Sequence, residues 1–248
     1  MKGILVAIAV AMICLSASPS SAKTLRAAFG QEKAPYLWVE NGDVKGIELD
    51  IIRAALAAAG DQLAPVVLPN RRVNLVLSGK DFDLVAGVSP GEAGTAYYSD
   101  DYLTYVNCAI SLKSRALPLN DLSDIFHYRV VAWQTAWENL GLAKLHPSGP
   151  ADLDYTEFPS QYRQTKFFWA GRADINLIDK YVFQWYSRLM AKELDTTEDV
   201  TCSEILPVLR PHAAFRNLQD RDAFNAGLKV IRENGIYDKI YADYNIVR

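Results

Sequence analysis

Two similarly built α/β lobes are the fold class that the sequence predicts, and three observations carry it. Between residues 25 and 86, short apolar runs alternate with helical periodicity in the order strand, helix, strand, helix, strand. That order produces parallel pairing with helices on the sheet faces. The alternation starts again beyond residue 129, and a local pattern repeats with it. Ser78-Gly79-Lys80-Asp81-Phe82-Asp83-Leu84-Val85 and Ala170-Gly171-Arg172-Ala173-Asp174-Ile175-Asn176-Leu177 each end a helix at glycine, pass an aspartate and enter an apolar strand. With 248 residues, the chain has room for two lobes of roughly 100 residues each.

At the start of the chain, Lys2 precedes twelve apolar residues, Ile4 to Leu15, and then a small, polar stretch ending Ser20-Ser21-Ala22. Twelve residues are too few to cross a bilayer, which takes about 20. The basic start and small-residue exit describe a cleaved secretory signal over residues 1–22. Leu25 to Phe29 reads as a short buried strand, Pro35 breaks the segment after it, and Asn41-Gly42-Asp43 signals a turn. Ile47, Ile51, Ala54, Ala55, Leu56 and Ala58 form the apolar face of a helix that Gly60 stops. Pro65 to Leu68 is a second strand. A short helix carrying Val73, Leu75 and Val76 ends at Gly79 and delivers Leu84-Val85-Ala86 as a third.

In the second half, Arg129 to Trp133 is a strand, followed by a helix near Glu138 to Leu145. A further helix covers Gln161 to Trp169, and another strand runs from Ala173 to Ile178. In the tail, Phe224, Leu228 and Ile231 sit at helical spacing before the Asn234-Gly235 cap. Ile236, Tyr237, Ile240, Tyr241 and Tyr244 then form an aromatic face, read as core packing.

Composition removes several function classes. Hydrophobic residues make up 50% and charged residues 22%, ordinary for a folded domain. A net charge of −3 and a pI of about 5.7 leave no basic footprint for nucleic acid. Three cysteines and three histidines, widely scattered, provide no metal cluster, and no cofactor motif is present. Signatures such as Gly-x-Ser-x-Gly and His-Glu-x-x-His are missing too, so no enzyme is expected. Signal cleavage would leave Cys108 and Cys202 in an oxidising compartment, where they are either a disulfide or two buried thiols.

At this point the motifs resemble those of the family 3 extracytoplasmic solute-binding proteins. Tyr36-Leu37-Trp38, Asn41-Gly42 and Gly46-Ile47-Glu48-Leu49-Asp50 are similar to that family's opening segment. Tyr98-Ser99-Asp100-Asp101-Tyr102 is similar to the segment entering its hinge. Gly171-Arg172-Ala173-Asp174 with Asp179 resembles its Gly-Arg-x-Asp-x4-Asp, and Asn234 to Ile240 its C-terminal Gly-x-Tyr-x-x-Ile. The resemblance spans residues 23–248. It implies the type II periplasmic binding fold: two Rossmann-like lobes joined by a two-crossing hinge, with a small molecule bound between them. Lobe 1 would be residues 23–104 plus 209–248 and lobe 2 residues 105–208, with crossings near Tyr102–Val106 and Leu206–Pro211. It also implies a periplasmic monomer serving an ABC permease in the inner membrane.

The departures concern ligand chemistry. Amino-acid binders of the family stack an aromatic on the ligand where Lys33 falls here. They also pair an arginine with its carboxylate in a segment that here reads Ser89-Pro90-Gly91-Glu92. A glutamate cannot replace a bidentate arginine. Asp179 matches the family's ammonium-binding carboxylate. Binding candidates from the first lobe are Glu32, Tyr36, Trp38, Ser89 and Glu92, with Arg71 or Arg72 able to hold an anionic group. From the second they are Trp133, Gln134, Thr135, Trp137 and Asp179. The competing reading is a ligand with a positive end, caged by Glu32, Glu92, Asp179, Trp38 and Trp137. The function expected is capture of a small polar solute other than a standard α-amino acid. A transport-independent accessory or sensor protein is the alternative, and a dehydratase-like enzyme a third reading.

Overall fold

The computed structural model describes residues 22–30, 32–73 and 75–246, with only the backbone of Asn70 and Arg71. Residues 1–21, nearly all of the expected signal, lie outside these. The chain enters through β1 (Thr24–Phe29), then β2 (Trp38–Glu40) and β3 (Asp43–Lys45) fold into a hairpin at Asn41-Gly42. Helix α1 (Ile47–Ala58) leads to β4 (Gln62–Val67), a single turn α2 (Asn70–Val73), β5 (Leu84–Val88) and β6 (Tyr97–Tyr98). The second half contains β7 (Asn107–Leu112), β8 (Val130–Trp133), α3 (Ala136–Asn139) and β9 (Tyr155–Phe158). It continues with α4 (Gln161–Trp169), β10 (Ile175–Asp179), α5 (Lys180–Met190) and β11 (Val200–Ser203). The chain then returns through β12 (His212–Phe215) to α6 (Leu218–Glu233) and α7 (Ile236–Asp243).

These strands make two five-stranded sheets, ordered β4-β1-β5-β12-β6 and β11-β7-β10-β8-β9. The parallel pairing expected from the alternation holds where helices intervene. β1 is parallel to β4 and β5, and β8 to β9 and β10. β12 and β7, the first strands after each passage between the sheets, are antiparallel to both of their neighbours. Each sheet is therefore mixed. The two connecting segments touch through an antiparallel bridge between Tyr105 and Leu209. Cys108 in β7 and Cys202 in β11 are joined as a disulfide across neighbouring strands, with Cα atoms 5.2 Å apart.

Packing explains the helices. On α1, Ile47, Ile51, Ile52, Ala55 and Leu56 are fully buried, and α6 crosses this face with Phe224 and Leu228. The crossing is close because Gly227 has no side chain; a Cβ there would lie 1.9 Å from the Ala55 carbonyl oxygen. The single helix expected near Glu138 to Leu145 is instead two pieces. α3 ends before Gly141, whose φ of 65° reverses the chain, and a 3-10 turn spans Leu142–Lys144. Leu140 and Leu142 both turn into the core of the second sheet this way.

The sheets are also tied together by side chains from the loop before β2. Tyr36 Oη donates to Asp179 Oδ2 at 3.2 Å, and the Ala34 amide donates to Tyr186 Oη at 3.3 Å. Trp38 packs on Trp185 of α5 with ring centroids 5.2 Å apart.

Candidate functional site

A cleft of about 820 Å3 opens between the two sheets, at the carboxyl ends of β5, β8 and β10. This is where α/β sheets place ligands. Of the expected site residues, Ser89, Glu92, Trp133, Gln134, Thr135, Trp137 and Asp179 line it.

Four expected residues are not among those lining the cleft. Trp38 turns away to Trp185 and Tyr244. Glu32 accepts from the Val39 amide at 3.3 Å, tying its own loop. Tyr36 is fully buried and spends its hydroxyl on Asp179. Arg72 is exposed on α2, and the Arg71 side chain lies outside the described residues. An aromatic or a charge near a turn marks a loop in sequence, but not the face of the loop it takes.

The lining also includes residues that sequence reasoning did not count as binding candidates. Lys33 takes the position of the missing aromatic, with Nζ 3.0 Å from Glu48 Oε2 and 4.9 Å from the Tyr105 ring centroid. Glu48 is buried on α1 and also accepts from Tyr102 Oη at 2.6 Å. A side chain at residue 87 would intrude here: Gly87 has a φ of 75°, and a Cβ would lie 2.8 Å from Glu48 Oε1. The cleft thus meets a cation whose charge is already matched from below.

Asp179 has a similar commitment. It caps α5, accepting from the Tyr181 and Val182 amides at 2.8 and 3.1 Å through Oδ1. Its Oδ2 accepts from the Val106 amide at 2.7 Å and from Tyr36. Burial pushes its pKa up to about 6, against these hydrogen bonds, which pull it down.

Two glutamates take backbone amides at the cleft. Glu92 Oε2 accepts from the Ser89 amide at 2.8 Å, and Oε1 accepts from Asn139 Nδ2 across the cleft at 3.2 Å. Asn139 is oriented for this by Trp133 Nε1 and Thr135 Oγ1, which both donate to its Oδ1. On the other side, Thr135 adopts a φ of 74°, and its own amide and that of Trp137 converge on one point. That point is occupied: Glu157 Oε2 accepts from the Thr135 amide and Oε1 from the Trp137 amide, both at 2.7 Å. Tyr155 Oη adds a third bond to Glu157 at 3.1 Å. Glu157 sits on β9, a strand without clear periodicity, which is why its role was not legible.

Among the described residues, no group of His, Cys, Asp and Glu could hold a metal ion, and no helix is long and apolar enough to cross a membrane.

Comparison with known proteins adds the lineage. The family model described as bacterial extracellular solute-binding proteins, family 3, matches residues 25–246. A search of curated proteins finds no significant match. Among solved structures, a histidine kinase sensor domain with similarity to periplasmic binding proteins superposes with a TM-score of 0.74 at 17% identity. It covers 89% of this chain and 95% of its own. An ancestral arginine-binding protein bound to arginine gives 0.73 at 18% identity, over 89% and 97%. An ancestral amino acid-binding protein, described as a precursor of cyclohexadienyl dehydratase, gives 0.69 at 20%, over 89% and 94%. At these identities the likeness is one of fold, the type II periplasmic binding architecture.

Proposed function

From the premise that this chain belongs to the bacterial extracellular solute-binding proteins of family 3, we propose that it captures a small polar solute lacking an α-carboxylate and delivers it to an ABC permease. It works as an exported periplasmic monomer without enzymatic turnover. Its lobes are residues 23–104 with 209–248, and residues 105–208, hinged at the two crossings and closing on the ligand.

The observation that carries the ligand reading is the double occupancy by glutamate. Glu92 fills the position of the family's carboxylate-binding arginine, and Glu157 already takes the amides of Thr135 and Trp137. An incoming carboxylate would meet like charges at Glu92 and Glu157 in place of a bidentate arginine.

The alternative of a transport-independent sensor draws on the likeness to the histidine kinase sensor domain. Thermal shift against a metabolite panel tests the proposal. A true ligand at 100 times its Kd should stabilise the protein by about 2.7 kcal/mol. Silence across the panel favours the accessory or sensor reading, and conversion of a hit into product favours the enzyme reading.

A further inference from the structure

We propose that the cleft takes an organic cation, an amine, guanidine or quaternary ammonium that also carries a neutral hydroxyl or amide group. This rests on the solute-binding reading above and specifies its ligand. Glu92, Glu138, Glu157 and Asp179 all line the cleft, and none of them is in an ion pair among the described residues. The lining cations Lys33 and Arg210 are each matched to a carboxylate that is not among the lining residues, Glu48 at 3.0 Å and Asp101 at 3.5 Å. The cleft therefore has unmatched negative charge, with the half-buried Trp133 and Trp137 among its lining residues. Unpaired carboxylates with aromatic residues beside them suit a cation.

A second observation points to a ligand independently of charge. Asn107 lines the cleft at the start of β7, paired with Asp179 in the sheet register, and only 9% of it is exposed. Its Nδ2 has no partner, and neither have Tyr105 Oη and Gln161 Oε1, which line the same cleft. Buried polar atoms left unpaired are costly unless something fills the space between them. A donor, an acceptor and a hydroxyl together fit a neutral polar group such as an alcohol or an amide. Glu138, exposed on α3, supplies charge without a structural hydrogen bond of its own in the lining, so it reports on the ligand alone.

The test is titration calorimetry at low ionic strength with matched pairs differing at one carboxylate: arginine with argininamide, serine with ethanolamine, glycine betaine with choline. In at least one pair the cation should bind ten-fold or more tightly than its carboxylate-bearing partner. Its affinity should fall several-fold in Glu138→Gln and on raising salt. Silence from all three cations overturns the inference, as does cation binding that Glu138→Gln and salt leave unchanged. A neutral solute that binds while the cations do not overturns the cation assignment and leaves the solute-binding reading standing. Amino acids that bind as well as their partners, in the wild type and in Arg71→Ala, overturn the inference and the exclusion of α-carboxylates, and leave solute binding itself standing.

Discussion

At Glu157 one carboxylate accepts from two amides and a hydroxyl, so its removal leaves three donors without a partner. Glu157→Ala should cost about 1–3 kcal/mol in urea unfolding, the lower end if water enters the half-buried site. Glu157→Gln should cost less, because its amide oxygen still accepts one of the bonds. Asp179 adds a pH dependence. Its folded pKa of about 6 lies above the 3.8 of an unperturbed carboxyl, so the folded chain holds this proton more tightly than the unfolded one. The stabilisation from this group is full below about pH 4 and is lost as pH rises through about 6, a fall of roughly 2–3 kcal/mol for this residue. Unfolding free energies measured from pH 4 to 7 should fall less steeply in Asp179→Asn than in the wild type. At this scale the sequence was legible in part. The motif around Asp179 led to a residue that lines the cleft, whereas Trp38 was assigned from its neighbourhood and proved to pack on α5.

Among the elements, those with a long apolar face were legible, and those whose burial depends on partners were not. The face of α1, the extent of α4 and the junction of the two C-terminal helices at Asn234-Gly235 follow from periodicity and glycine caps. The structure adds N-caps that were not read: Ser160 accepts from the Arg163 amide and Asn217 from the Asp220 amide. Strands β6, β7, β9, β11 and β12 were not identified, and of the β2–β3 hairpin only the turn was, because short strands buried on both faces or lying at sheet edges lack a period-two signature. α5 is the exception: Val182, Phe183, Tyr186 and Met190 are buried at helical spacing, and this periodicity was overlooked. The crossing of α1 and α6 offers a direct test. Gly227→Ala puts a methyl group against the Ala55 backbone, which no side-chain rotation relieves. Stability should fall by about 2–3 kcal/mol, with the loss visible in the midpoint of denaturant unfolding.

For the molecule as a whole, the repeated Gly–Asp–strand pattern made the two-sheet architecture legible, and the ordered family motifs made the lineage legible. The closing disulfide was open to either reading because Cα separation is a property of the folded sheet. It links residues 94 apart, so the double variant Cys108→Ala/Cys202→Ala should lose about 3–5 kcal/mol of stability in the chain-entropy account. Denaturant unfolding of the oxidised wild type beside this variant measures it. Contacts between the sheets, from Tyr36–Asp179 and Trp38–Trp185 to Glu92–Asn139, flank a cleft in which the Ser89, Thr135 and Trp137 amides are already bonded to glutamates. A missing charge-assisted bond alone weakens a ligand by about 1.5–3 kcal/mol, roughly 10- to 150-fold. Calorimetric titration of the protein with each of the twenty standard amino acids therefore tests the central claim most directly. Applied to a micromolar binder, this weakening predicts no amino acid bound tighter than about 10 μM. Micromolar binding of any of them, abolished by Asp179→Ala and unaffected by Arg71→Ala or Arg72→Ala, would contradict it.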